Sequence, residues 1–565
     1  MDYKWRASKS SQEIVETVAS DDRYDWDYHD VEMLQRRLKQ RHVQMIAVYC
    51  WDHWNGQVLR FSIQSFYNNP LIGLFLGSGN ALQVAGPLGS LLAYGLVASV
   101  AYSSLCSVGE MTTWAPISGT FPHYAARWVD PALGFAVGWN YFYSNATSVP
   151  VEINAAVILL TFWDKDANHA AIYTALIVLT VWAINIFGVR YFGESEFFFS
   201  STKLLVIIII LCAGLVLDLG GGPDHERIGF KFWINPGAVN RAGLVQDIGA
   251  DRFFAILKVV IQAAFSFQGM ELVCIAASET ENPRRNIAKA VRRVFYRIVV
   301  FYMLGILMVG MLVPFNNPAL LSDTGTAAQS PFVIALHSAR VKGNLPAHRQ
   351  RRDIHQRHLC LKQPAVLQFP RALRPLDPWP STEVPLVHDE AWAAYRICVG
   401  IGGAFALLSF MNVSEGSETV FNWLVNITTT GGFIGWFSMN LTYSFFRRGM
   451  IAQGYDLKKN VYHNALQPYL SYWHLRPRGM GWTIFFIFIN GFAVFFKFNT
   501  SMFLTAYINI PIFAIMYFGY KIVYRTKIWK PLEMDFVTGI PTVEETELPP
   551  DPPVTFLEKV AAAVF

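Results

Sequence analysis

Apolar runs of about 20 residues recur along this chain, and their number restricts the fold more than any other feature. An α-helix rises about 1.5 Å per residue, so about 20 residues cross the roughly 30 Å hydrocarbon core of a bilayer. Leu204 to Leu219 reads LLVIIIILCAGLVLDL, and comparable runs occupy 83–108, 171–188, 298–313, 483–496 and 502–518. One or two such runs could form the buried core of a soluble protein. This many calls for lipid. Composition agrees: 53% of the residues are hydrophobic and 15% charged, where a soluble domain carries about a quarter charged. The reading is all-α and polytopic, with the lipid bilayer as the surrounding medium.

Charge then sets the expected orientation. A net +5 over 565 residues gives no case for a nucleic-acid partner. The basic residues gather in short connections: Arg36, Arg37, Lys39 and Arg41; Arg284, Arg285, Lys289, Arg292, Arg293 and Arg297; Arg447 and Arg448; Lys521, Arg525, Lys527 and Lys530. Counting apolar runs between them puts all these clusters on one side, cytoplasmic by the positive-inside tendency, with both termini inside. The expected layout is a cytoplasmic tail over 1–42, a membrane domain over 43–523 and a second cytoplasmic tail over 524–565. A Gly- and Pro-rich external stretch spans roughly 219–252. No cleavable signal peptide precedes the polar start, so the first membrane helix is expected to target the chain.

Several chemistries have no footing here. The six cysteines (50, 106, 212, 274, 360, 398) show no paired spacing, so neither a disulfide framework nor a metal site is expected. No phosphate-cradling loop supports ATP-driven pumping, and no nucleophile–base pair suggests an enzyme. No cofactor is expected. Among the Asn-X-Thr/Ser sequons, those at Asn145 and Asn440 fall in or beside helices, while Asn412 and Asn499 sit nearer external loops.

One window breaks the apolar pattern. From about 346 to 398 the chain is rich in Arg, His, Gln and Pro. A large hydrophilic loop would have that composition. One nucleotide out of frame, however, codons consistent with residues 347 onward can encode an apolar helix ending at a basic boundary. A frameshifted stretch is the favoured reading, and its histidines are not read as ligands.

Long strings elsewhere resemble one family. GEMTTWAPISGTFPHYAARWVDPALGFAVGWNYFY runs from Gly109 to Tyr143, SFQGMELVCIAASETENPRRNIAKAVRRVFYRI from Ser266 to Ile298, and FMNVSEGSETVFNWLVNITTTGGFIGWF from Phe410 to Phe437. AYINIPIF and WKPLEMDFVTGIPTVEE, at Ala506 to Phe513 and Trp529 to Glu545, complete the set. Together they resemble the fungal (yeast-type) amino-acid permeases of the amino acid–polyamine–organocation superfamily. The resemblance implies a twelve-helix design in which the first ten helices form a five-plus-five inverted repeat (LeuT-like). It also implies an amino-acid substrate held near the midplane, where the first helix of each repeat is broken. Such a break presents free N–H groups to a carboxylate and free carbonyls to an ammonium. Lipid tolerates it only beside a polar cavity.

In the second repeat the expected break is Phe265-Ser266-Phe267-Gln268-Gly269-Met270-Glu271. Gly269 permits non-helical backbone, Phe265 and Phe267 are placed to cover substrate, and Ser266 lies between them. Glu271 is an intramembrane carboxylate, costly in lipid and so expected to face the cavity. The plainer alternative is a packing glycine beside a structurally paired glutamate. In the first repeat, RHVQMIA (Arg41 to Ala47) should lead into a glycine-rich break. Instead VYCWDHWNGQVLRFSIQSFYNNPLI follows, and the family pattern resumes only at Gly73. Residues 48–72 therefore read as a translated intron or misjoined exon, with a genuine re-entrant insertion as the alternative. The first and eighth helices are thus apparently disrupted. Gly77-Ser78-Gly79 reads as the outer end of the first helix.

Protons are the expected coupling partner. Relatives with a lysine on the fifth helix are thought to use its ammonium where sodium-coupled relatives hold a cation, which makes Lys203 a candidate; a lysine snorkelling at the boundary is the alternative. Glu271, Glu152 on the third helix and Glu110 at the end of the second are the other candidates. The expectation is a secondary active, proton-coupled importer of the plasma membrane, with side-chain specificity set by helices three, six, eight and ten. The alternatives are an amino-acid receptor on the same fold and a non-functional product of a damaged reading frame.

Overall fold

The computed structural model describes residues 77–117, 119–160, 164, 166, 169–186, 205–222, 225–271, 274, 282–321, 330–338, 403–457, 460–463 and 481–543. Segments 1–42, 48–72 and 346–398, together with Gly73 and Lys203, lie outside them. The described residues form helices and connections, with no strand among them. The principal helices are α1 (Ser78–Trp114), α2 (Thr120–Trp128), α3 (Pro131–Leu160), α4 (Ala170–Ile186) and α5 (Leu205–Asp218). They continue with α6 (Ile248–Phe267), α7 (Pro283–Leu312), α8 (Pro331–Ser338), α9 (Ser417–Ala452), α10 (Trp482–Ile489), α11 (Thr500–Tyr507) and α12 (Asn509–Tyr524).

The apolar run 83–108, legible as one segment, is divided by the structure. Gly86 adopts φ 73°, and Pro87 follows it. Ser90 Oγ donates to the carbonyls of both Ala81 and Gly86 at 2.8 Å. Residues nine apart in a straight helix would stand about 13 Å apart, so the chain turns back here. Backbone freed by the turn is paired by a distant loop: Leu88 N donates to Ala238 O and Asn240 N to Ala85 O. A Cβ at Gly86 would come within 2.9 Å of Asn240 N, so this position takes only glycine.

By length and composition, Ser78–Trp114 and the joined Thr500–Tyr524 can each cross a membrane, and shorter apolar helices lie at Ala170–Thr180, Leu205–Asp218, Val299–Leu312 and Gly403–Ser414. α3 and α9 are long enough, at 30 and 36 residues, but fall short in hydropathy. Their polar residues are buried rather than outward: Asn140, Ser144, Asn145 and Glu152 on α3, and Thr428, Thr429, Ser438 and Asn440 on α9. The outward positions on α5 and α12 are instead apolar, as Leu205, Ile208, Leu215, Ile515, Phe518 and Ile522 show. Polar within and apolar without is the arrangement that suits a bilayer.

Helices in lipid gain nothing from hiding apolar surface from one another, so packing and interhelical hydrogen bonds hold them together, at about 0.6 kcal/mol per bond. The α1–α9 contact illustrates this. Asn440 accepts from Ser107 Oγ at 2.8 Å and donates to Ser104 Oγ at 2.9 Å. At the end of α3, Asp164 accepts from Tyr173 Oη at 2.5 Å, from Asp166 N at 3.0 Å and from His169 Nδ1 at 2.7 Å. Those bonds hold its carboxyl down at about 2. Asn412, expected near an external loop, is instead buried and donates to Thr174 Oγ1 at 2.9 Å.

Candidate functional site

α6 begins with a built cap, Asp247 accepting from Ala250 N at 2.7 Å, and remains helical to Phe267. There it stops inside the protein. Gln268 is extended (φ −63°, ψ 148°), and Gly269 has φ 85°, a conformation that costs other residues dearly. The helix ends not at a surface but among buried residues, with Gln268 and Glu271 both about 5% exposed. The last carbonyls of α6 thus point their partial negative charge into the interior.

Beside this break is a small cavity. Its walls are Gln268, Gly269 and Glu271 from the break, Tyr141, Ser144 and Asn145 from α3, and Thr428, Gly431 and Gly432 from α9. Close approach of the three elements depends on the two α9 glycines. A Cβ at Gly431 would fall 2.9 Å from Ser144 Cβ, and one at Gly432 would fall 2.3 Å from Gln268 Cδ. Across these contacts Asn140 Nδ2 donates to Gly431 O and Gln268 Nε2 to Thr429 O, both at 2.9 Å. Trp436 Nε1 points at Glu271 Oε2 from 3.5 Å, a long contact. Thr428 Oγ1 is buried and has no hydrogen-bond partner among the described residues. A buried hydroxyl left in that state calls for an occupant.

The cavity is about 20 Å³, room for a water and not for an amino acid.

The residues singled out in the sequence are distributed unevenly about it. Gly269 and Glu271 line the cavity, whereas Phe265, Ser266 and Phe267 do not. Phe265 packs with Val151, Ile158 and Phe421, and Phe267 against Tyr94 and Tyr302 on another side. Residues two apart on a helix face nearly opposite ways, so Phe265 and Phe267 could not both cover one cavity. Ser266 Oγ donates back to Gln262 O at 3.2 Å. Glu152 is buried on α3 two turns beyond Asn145, about 10 Å along the axis. Glu110 is farther away, at the end of α1, where it accepts from Tyr443 Oη at 2.6 Å and lies 3.2 Å from His463 Nδ1. Tyr141, Ser144, Asn145, Gln268, Thr428, Gly431 and Gly432 were not singled out. Their signal was the polar spacing 141, 144, 145 in an apolar helix and the run Thr428-Thr429-Thr430-Gly431-Gly432.

The amino acid permease family profile matches residues 70–346 and 389–532. The dicarboxylic amino acid permease of Saccharomyces cerevisiae is 33% identical over 523 residues, covering 89% of this chain and 80% of that one. The proline-specific permease of Emericella nidulans is 35% identical over 497 residues, covering 83% and 84%. A solved structure of an Eremococcus coleocola manganese transporter aligns with 87% of this chain and 97% of its own, at 13% identity and a TM-score of 0.45. These relatives are permeases rather than enzymes. Matched over most of its length, the chain belongs to the amino acid permease family and is an integral membrane protein of amino-acid transport.

Proposed function

We propose that the protein is a secondary active importer that carries an α-amino acid across the plasma membrane with protons, both termini being cytoplasmic. The twelve-helix, five-plus-five inverted arrangement belongs to this reading. One observation carries it: α6 stops short at Gln268–Glu271, deep in the protein, and the Glu271 side chain lines a small cavity with Ser144, Asn145, Gln268 and Thr428. The α-ammonium of the substrate would sit against the carbonyl end of α6 and Glu271. Thr428 would supply a hydroxyl to the same ligand. Glu271 would take up a proton with substrate on the outside and release it within, and Lys203 and Glu152 are the further coupling candidates. Glu110, held by Tyr443, would act at the inner end. The relatives are named for different amino acids, and the α-amino and α-carboxyl groups those amino acids share are what the site is proposed to hold.

Thr428→Val keeps the shape of the wall and removes one hydrogen bond. A typical net bond is worth about 1 kcal/mol, so KM for uptake should rise about fivefold with little change in maximal rate. Concentration dependence of radiolabelled uptake, with proton flux recorded alongside, tests both claims. An unchanged KM would remove Thr428 from the site, and amino-acid binding without uptake would favour a receptor.

A second reading concerns residues 347–388, which the family match leaves out and which fall within the Arg- and His-rich window. We infer that a polypeptide of these 565 residues as they stand lacks a membrane helix there and does not transport. Sequencing the transcript across codons 48–72 and 344–400 should show a restored frame and a removed insertion. A transcript that encodes the text unchanged would overturn this. Transport tests accordingly use protein expressed from its own gene.

A further inference from the structure

Beyond α12 the chain does not leave the protein. Arg525 turns it with φ 51°, and residues 526–542 then run across the ends of four helices, α2, α3, α7 and α9. Asp130, at the start of α3, anchors the near end: it accepts from Thr526 Oγ1 at 2.7 Å and pairs with Lys521. Trp529 donates twice to the end of α2, from N to Val129 O and from Nε1 to Ala126 O, each at 2.9 Å. Farther along, Arg127 binds Asp535 through both its carboxylate and its carbonyl at 2.8 Å and reaches Thr538 O as well. Met534 and Phe536 are buried, Phe536 lying on Trp128, Phe446 and Tyr455. Gln453, just after α9, donates to Met534 O at 2.7 Å.

The far end reaches a different helix. Arg284, in the first turn of α7, is about 5% exposed and donates to Pro541 O at 2.6 Å and Thr542 O at 3.2 Å. α7 is the next described helix after the break, and only residues 272–282 separate Glu271 from its first residue. Arg284 is therefore only thirteen residues along the chain from Glu271, so a change at the break has a short route to it. α9, at the other side of the segment, supplies a cavity wall. One short stretch of chain thus ties the start of α7 to α2 and to the far end of α9.

On the topology proposed above, this is the cytoplasmic face. The geometry points to residues 526–542 as an inner clamp, which holds α7 against α2 and α9 while the cavity is closed inward and must release Arg284 for cargo to leave. The clamp is a conformational device, and it rests on the alternating-access reading of the site. A brace that merely stiffens the fold would use the same contacts, so the test must read opening and not stability alone.

The test uses the full chain expressed from its own gene. Thr428→Cys places a thiol on the cavity wall, and a membrane-impermeant maleimide is applied to inside-out vesicles. Arg284→Gln removes the far tie, and Asp535→Asn, a milder change, cuts the ion pair while leaving the backbone bonds. Both should raise the rate of labelling at Thr428→Cys at least fivefold, within the usual range of conformational coupling, with thermal stability recorded in parallel. In the otherwise native chain, Arg285→Cys, beside Arg284, with Thr542→Cys joined by a short bismaleimide should stop uptake, the unmodified chain with the same reagent serving as control. Unchanged labelling in folded Asp535→Asn protein, or undiminished uptake after cross-linking, would overturn the clamp. Absence of uptake before cross-linking would refute the transport reading itself, and the labelling rates would then decide the clamp alone.

Discussion

Glu271→Gln is expected to transport without concentrating. Glutamine keeps the size of the side chain and can still accept from Trp436, but it cannot gain and lose a proton. If Glu271 couples inward movement to the proton gradient, the variant should equilibrate amino acid across the membrane and retain exchange of internal for external substrate. Each elementary charge moved through 100 mV is worth about 2.3 kcal/mol, so the accumulation ratio should fall about fiftyfold for every 100 mV of driving force lost. Steady-state accumulation and counterflow in the same vesicles measure the two activities separately. Glu271→Gln protein that concentrates substrate as well as the parent would exclude Glu271 from coupling. Loss of counterflow along with accumulation would make it a substrate ligand only.

Gly432→Ala tests the geometry of the cavity. The added methyl would overlap Gln268, with Nε2 at 2.0 Å and Cδ at 2.3 Å. Gln268 would have to leave its bond to Thr429 O and move into or away from the cavity. Overpacking of this kind costs about 1–3 kcal/mol, so uptake should fall roughly five- to 150-fold at equal surface expression. Gly435→Ala provides the comparison: three residues farther along the same helix, its methyl would meet nothing within 4 Å. Uptake there should be unaffected. Equal loss in both variants would mean that α9 resents any added methyl, and that the Gln268 contact is not what matters.

Much of this protein was legible before any coordinates. The run Leu204–Leu219 and its counterparts required lipid, because only that many consecutive apolar residues bridge the hydrocarbon thickness. Gly269 and Glu271 stood out because the family resemblance implies a broken helix there, and the two residues supply a conformationally free position and a carboxylate. Both line the cavity. The neighbouring Phe265 and Phe267 do not line it, since proximity in sequence to the break says nothing about which face of the last helical turn a ring occupies. Residues 48–72 and 346–398, with Gly73 and Lys203, lie outside the described structure.

The tertiary structure decided the partners. The sequence shows polar residues set within the apolar stretches of α3 and α9, but not that those residues meet each other and the break. That depends on how closely backbones can approach, and the approach is set by Gly431 and Gly432 against Ser144 and Gln268. The same limit hid the clamp. Arg127 and Asp535 are 408 residues apart in the chain, and each alone reads as an ordinary charge beside the membrane. Short-range sequence pattern specifies how a segment folds and which solvent it prefers, because both depend on neighbours a few residues away. Which distant segments touch depends on the packing of the whole set of helices, and only the assembled structure holds that information.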